Sequence, residues 1–244
     1  MAKSFSFNGI DLSTYGLTVR RHNLHDFTQE TEYYQLKNKA VAGETIRPAR
    51  QIVIDAVIEA ADYAGLCSYM DSIRGVLGLP ADAVLKMDSI TDRYWMARCN
   101  ALPEADNGAT YWEGTLTFTA GDPSAYDNSE TTGNHTIDED PENFNEVVGG
   151  TAETWPVYTL TADDTASEVT ITNNTTDEEL VITIAMVATD VLEIDTETMI
   201  VKLNGTEDMS GVSGPFPRLL PGTNAFTVTG FSGTMATVYR KKYS

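Results

Sequence analysis

Three histidines, two cysteines and 36 acidic side chains are the raw material for chemistry in this chain of 244 residues. His22 and His25 stand three apart, so two imidazoles could share a metal ion, but two ligands do not make a site. His135 lies far along the sequence, in an acidic stretch, and no histidine is placed to serve as the base of a Ser-His-Asp arrangement. Gly211-Val212-Ser213-Gly214 is followed by Pro215, which leaves the Gly-x-Ser-x-Gly of a nucleophile elbow incomplete and in a loop. Glu193 and Asp195 share the wet face of one strand, where solvation is the ordinary fate; a two-carboxylate glycosidase needs a cleft between them. No glycine-rich phosphate loop occurs. Cys67 and Cys99 read as two small buried hydrophobes, not a disulfide framework. Trp155 and Tyr158 could stack on a sugar, but a tryptophan beside Pro156 at a strand start more commonly closes a core. No residue is nominated as catalytic, metal-ligating or cofactor-binding.

The elements that would have to position such groups are mostly strands. From Val191 to Gly230 alternation and turn chemistry are written out together. Leu192 and Ile194 alternate with Glu193 and Asp195. Met199 to Leu203 is a half-buried strand, Asn204-Gly205 supplies positive φ for a tight turn, and Pro221-Gly222 pre-sets another. Earlier, Phe5-Ser6-Phe7 with Asn8-Gly9 reads as a short hairpin, Asp11 to Gly16 as a capped turn and Leu17 to Arg20 as a strand. Ile52, Ile54, Ala56, Ile58 and Ala60 share one face of a strand over 51–60. Tyr63, Leu66, Cys67, Met70, Ile73 and Leu77 form a helical stripe that Asp62 can cap and Gly78 with Pro80 can end. Trp112, Gly114, Leu116 and Phe118 alternate along a further strand.

Two stretches break this pattern. Residues 22–48 are long and polar yet carry Phe27, Tyr33, Tyr34, Leu36, Val41 and Ile46. A structureless loop of that length is uncommon in a compact domain. The expected form is a hairpin arm with Tyr33–Leu36 and 43–46 as limbs, whose aromatics need a cover from a neighbouring molecule. Residues 123–151 are acidic and poor in apolar side chains, and read as a linker. The expected organisation is therefore an N-terminal domain over 1–122 with the arm at 22–48, the linker, and a β-sandwich over 152–244. The fold class is mainly β, with one helix.

Net charge is -20. It divides unevenly: 15 acids and 11 bases precede Gly121, and 21 acids and 5 bases follow from it. Such a surface repels DNA and anionic membranes, so nucleic-acid and membrane partners are not expected. MAKSFSFNG has no apolar core of a signal peptide, so synthesis in a cytosol is expected.

The segments FSFNGIDLSTYGLTV and TYWEGTLTFTAGDPSAY resemble the N-terminal domain of the distal tail (Dit) proteins of long, flexible-tailed bacteriophages. TWPVYTL, LEIDTETMIVKLNG, FPRLLPGTNAFTVTG and YRKKYS are similar to that family's galectin-like sandwich. The segments fall in the family's order and span nearly the whole chain. The resemblance implies a structural, non-enzymatic protein: a homo-hexameric ring at the virion tail tip that continues the tail tube. It implies contacts with the tail tube protein, with the tail-tip hub or tail-associated protein, and with receptor-binding proteins or host surface glycans. It also implies an arm that embraces the next subunit, for which Tyr33, Tyr34, Leu36 and Ile46 are the candidate contacts. The alternative is a carbohydrate-binding β-sandwich module.

Overall fold

A computed structural model describes residues 3–24, 30–36, 39–101 and 110–244, with backbone and pairing alone for 30–36 and 39–46. The chain divides into two compact units, residues 1–125 with Ser244, and Tyr126–Tyr243.

In the first unit, β1 (Phe5–Phe7) and β2 (Ile10–Asp11) form the expected hairpin, with Asn8 and Gly9 at φ 50° and 78°. Asp11 then caps a 3₁₀ turn, Leu12–Tyr15, its carboxylate accepting the Ser13 N–H at 2.8 Å. Gly16 ends that turn at φ 69°, and a Cβ there would fall on the Glu59 carbonyl, so both backbone angle and space demand glycine. The remaining strands are β3 (Leu17–His22), β4 (Glu30–Leu36), β5 (Lys39–Ile46), β6 (Arg50–Glu59), β7 (Ala83–Met87), β8 (Ile90–Cys99) and β9 (Tyr111–Ala120).

β8 joins two runs of this unit: β7 and then β1 on one side, β9, β6 and β3 on the other. The sheet curls so that β1 faces β9. Phe5 and Phe7 meet Phe118 with ring centroids 5.7 and 5.5 Å apart. Val19 donates its N–H to the Lys3 carbonyl at 2.8 Å, tying β3 to the chain just ahead of β1. Ile52, Ile54, Ala56 and Ile58 are all fully buried, as their alternation required. Each isoleucine side chain so removed from water stabilises the unit by about 1.5–3 kcal/mol.

The α-helix α1 (Tyr63–Leu77) starts where Asp62 accepts the Gly65 N–H at 2.7 Å and stops at Gly78. It buries Leu66, Met70, Ile73, Val76 and Leu77. Tyr63 is exposed and Cys67 half-buried, so the apolar stripe begins one turn later than the sequence spacing suggested.

The second unit begins earlier than composition indicates. The acidic stretch read as a linker contains β10 (Ala125–Ile137) and β11 (Glu142–Val148). Their polar outer residues hid the few apolar anchors that hold them, Ile137, Phe144 and Val148, all of which pack into the second unit's core. The other strands are β12 (Val157–Ala162), β13 (Val169–Asn173), β14 (Glu178–Ile182), β15 (Val191–Asp195), β16 (Ile200–Leu203), β17 (Thr206–Glu207), β18 (Val212–Ser213), β19 (Gly222–Thr229) and β20 (Gly233–Tyr243).

One sheet of this unit runs β17–β16–β15–β12–β20–β10 and the other β11–β19–β13–β14–β18. Tyr158 and Leu160 of β12 and Leu192 and Ile194 of β15 share one core with Ile171, Leu180, Phe226 and Val228 of the second sheet. This is a two-sheet antiparallel sandwich. Asn204 and Gly205 turn β16 into β17 at φ 49° and 79°. Asn204 also accepts the Val191 N–H at 2.9 Å and donates to Asp190 at 2.8 Å, anchoring the turn to the start of β15.

Candidate functional site

β4 and β5 pair with each other in a two-stranded sheet of their own. Tyr33 stands opposite Ala42, Tyr34 opposite Val41, Leu36 opposite Lys39 and Ile46 opposite Glu30. The limbs are longer than the sequence suggested, and the chain reverses between Leu36 and Lys39. The register slips between Thr31 and Tyr33, where β5 carries the extra residue around Gly43 and Glu44. Tyr34 and Leu36 are two apart and so occupy register positions of one face, with Tyr33 on the other. Ile46 pairs at the foot of the ribbon, about 20 Å from Leu36 at a strand rise of roughly 3.3 Å per residue. The four candidate contact residues therefore lie on one ribbon, but not in one patch.

An isolated two-stranded ribbon is marginal in water. Both long edges of this one present backbone donors and acceptors that the pairing of β4 with β5 does not use. Strand addition or coverage by another surface is the usual resolution of such a geometry.

The groups that could have done chemistry are engaged elsewhere. His22 shares a 3.0 Å hydrogen bond with the Ser89 hydroxyl; His25 lies outside the described residues. Glu193 is bridged by Lys202 at 2.7 Å. Asp195 accepts the N–H groups of Glu197 and Thr198, each at 3.0 Å, and so builds the β15–β16 turn. Ser213 is a β18 residue paired with Val181. Among the described residues, no group of three or more His, Cys, Asp or Glu could hold a metal ion.

Tyr158 is no sugar platform, because it is fully buried and donates its hydroxyl to the Pro217 carbonyl at 3.1 Å. Burial and the nearby Glu178 and Glu146 carboxylates push its ionisation well above the ordinary tyrosine range. Trp155 is half-buried at the entry to β12.

One polar cluster had no counterpart in the sequence reading. His135 Nε2 lies 2.8 Å from Glu146 Oε2, and its ring stacks on Phe144 with centroids 3.9 Å apart. The Tyr239 hydroxyl reaches the Glu146 carboxylate at 3.5 Å and the Val147 carbonyl at 3.3 Å. The alternation of the flanking strands could have revealed it, had they not been read as a linker.

Residues 149–243, most of the sandwich, match the family model described as siphovirus-type tail component, C-terminal domain. The match covers most of the second unit and less than half of the chain. The siphovirus-type tail component match ends one residue short of the C-terminus and leaves the first unit to be placed by its fold.

The whole chain is similar to the crystal structure of the Dit protein of phage SPP1. The two share 18% identity, each is covered to 100%, and the TM-score is 0.85. That protein is described as a paradigm of the hub adsorption apparatus in phages that infect Gram-positive bacteria. A chain of the phage P2 baseplate, in its activated conformation with Ca, matches at 10% identity over 99% of both chains with a TM-score of 0.53. No curated protein matches this chain. At such identities these likenesses speak for the fold: both units, in this order, form the Dit architecture.

Proposed function

We propose that this protein is the distal hub of a siphovirus tail, a structural component that joins the tail tube to the host-adsorption apparatus at the virion tail tip. The observation that carries the reading is the agreement of both units with the SPP1 Dit fold over the full length of both chains. The family match of the second unit supports it independently. In this reading six copies close a ring through their first units, and the β4–β5 ribbon of each copy embraces the next. Tyr33, Tyr34, Leu36 and Ile46 are the contacts assigned to that ribbon. The sandwich, galectin-like in this reading, faces outward to dock other tail parts or receptor-binding proteins. The protein performs no bond-breaking step.

Native mass spectrometry of the full chain, with antibody labelling of the virions that carry it, tests this. Six copies and label at the tail tip are expected. Label confined to the capsid, or absent from the particle, overturns the hub assignment. The carbohydrate-binding alternative has lost Tyr158 to the core, and no observation now favours it.

A further inference from the structure

Two Asn-Gly turns of this chain are near twins. Asn8 and Gly9 join β1 to β2 at φ 50° and 78°, and Asn204 and Gly205 join β16 to β17 at φ 49° and 79°. Each turn leads into a two-residue strand that stands last in its sheet order, Ile10–Asp11 in the first unit and Thr206–Glu207 in the second. Both residues of each of these strands are exposed, as are all four turn residues. A Cβ built on either glycine would meet nothing within 4 Å. Backbone angles, burial and open space therefore do not distinguish the two turns. A third pair, Asn107-Gly108, lies outside the described residues.

The asparagine side chains do distinguish them. Asn204 Oδ1 accepts the Val191 N–H at 2.9 Å and its Nδ2 donates to Asp190 at 2.8 Å, so both ends of the amide are held. The bond from Asn204, and after it the Val187 N–H, keeps the Asp190 carboxyl below the ordinary aspartate range, so the acceptor stays ionised. Asn8 has no side-chain hydrogen bond among the described residues. Asparagine is a thermolabile residue, and a following glycine exposes it most, because no Cβ screens the next backbone nitrogen. That nitrogen and the amide carbon must approach to about 3–3.5 Å in line. A pinned amide must first give up its partners to do so.

We propose that Asn8 is a site of spontaneous deamidation and that Asn204 is its protected counterpart. The Gly9 nitrogen bonds to Asn8 Cγ, the Cγ–Nδ2 bond breaks, and Nδ2 leaves as ammonia with the proton of the Gly9 N–H. The product is a cyclic succinimide spanning residues 8 and 9. Water then opens the ring at one carbonyl or the other, leaving aspartate, or isoaspartate with an extra methylene in the backbone. Water is the sole co-reactant. The extra methylene falls at a sensitive place. Asn8 donates its backbone N–H to the Val84 carbonyl at 2.9 Å, and the adjoining Phe7 is fully buried against Phe118. Isoaspartate lengthens the turn, disturbs the pairing of Phe7 with Ile10, and loosens the strand that carries both core phenylalanines. This ageing of the first unit goes beyond the hub reading and does not depend on it.

Incubation of the full chain in heavy-oxygen water at mildly alkaline pH tests this, because each ring opening takes up one solvent oxygen. Peptide mass mapping reads the label. Asn8 should take it up at least ~10-fold faster than Asn204, whose two hydrogen bonds must break first. In urea the two rates should converge, since the lock belongs to the folded chain. Asp190→Ala should speed labelling of Asn204 in the folded chain. Asn8→Gly keeps a residue suited to positive φ and removes the amide. It should hold its thermal midpoint through an incubation that lowers the wild type's. Labelling of Asn204 as fast as Asn8, or a difference that persists in urea, overturns the proposal. So does an Asp190→Ala chain whose Asn204 labels no faster, a labelled wild type that keeps its midpoint, or a midpoint that falls equally in Asn8→Gly.

Discussion

His135 and Glu146 form a 2.8 Å bridge between the two sheets of the sandwich, with side chains only 17% and 9% exposed. The histidine sits on β10 at the edge of one sheet and the glutamate on β11 at the edge of the other. Phe144 and Phe226 extend the contact inward as a stack, their centroids 5.4 Å apart. A nearly buried carboxylate is tolerated only while its partners stay in place. His135→Ala should therefore destabilise the second unit by about 1–3 kcal/mol, the cost of leaving a buried acceptor without its hydrogen-bond partner. Glu146→Gln, which keeps the shape and removes the charge, should be the milder change. Urea titration of both variants checks this, and equal, negligible shifts in midpoint would dismiss the bridge as surface decoration.

Gly133 makes room for that carboxylate. A Cβ at this position would fall on the Glu146 side chain. Gly133→Ala should push the glutamate off His135 and lower stability in step with His135→Ala. The double variant should then lose much less than the two losses added, because both act on one contact. Full additivity in the same urea titrations would separate Gly133 from the bridge.

Tyr239 carries a pH signature of the cluster. Burial, then the charge of Glu146 and its hydrogen bond, push the Tyr239 hydroxyl from 10.0 up to about 12. A folded-state value above the unfolded one means the folded protein holds the proton more tightly. The associated stability is intact below about pH 10 and is lost as pH rises toward about 12. Tyr239→Phe should flatten the alkaline fall in denaturation midpoint. A residual slope should remain from Tyr158, which is displaced in the same direction. An unchanged alkaline profile in Tyr239→Phe would place the effect elsewhere.

These clusters show where sequence reading works and where it stops. The β6 alternation, the Asp62 cap and the Asn204-Gly205 turn are local, and each residue declares its role through its immediate neighbours. β10 and β11 are different. Glu142 to Val148 pairs with β19, about eighty residues on, and its inward side chains include Glu146 beside Phe144 and Val148. A buried acid spoils the apolar alternation that would announce a strand, and its partner His135 lies on another element. The ribbon was legible as a hairpin because its tyrosines demanded a cover, yet its limbs were underestimated. Thr31 and the small residues of β5 pair through their backbone, which leaves little trace in side-chain pattern. Tyr158 follows the commoner expectation for an aromatic at a strand entry: it closes the core, and its hydroxyl donates to the Pro217 carbonyl.

The ribbon gives the last prediction. Leu36 stands beside the reversal of the chain, on the register face it shares with Tyr34. Covering a leucine in an assembled state is worth about 1.5–3 kcal/mol, a factor of roughly 10 to 150 in an association constant. Leu36→Asp removes that gain and adds a charge to be desolvated, so assembly should weaken by at least ~10-fold. β4 pairs with β5 alone, so the thermal midpoint of each unit should stay where it is. Deleting 29–44 should go further and leave two folded units with no ring. Because β4 and β5 pair with each other, the deletion removes all of β4 and all of β5 but Thr45 and Ile46. Assembly that survives the deletion unchanged, read by native mass spectrometry, would assign closure to the first unit's body and leave the ribbon without a structural task.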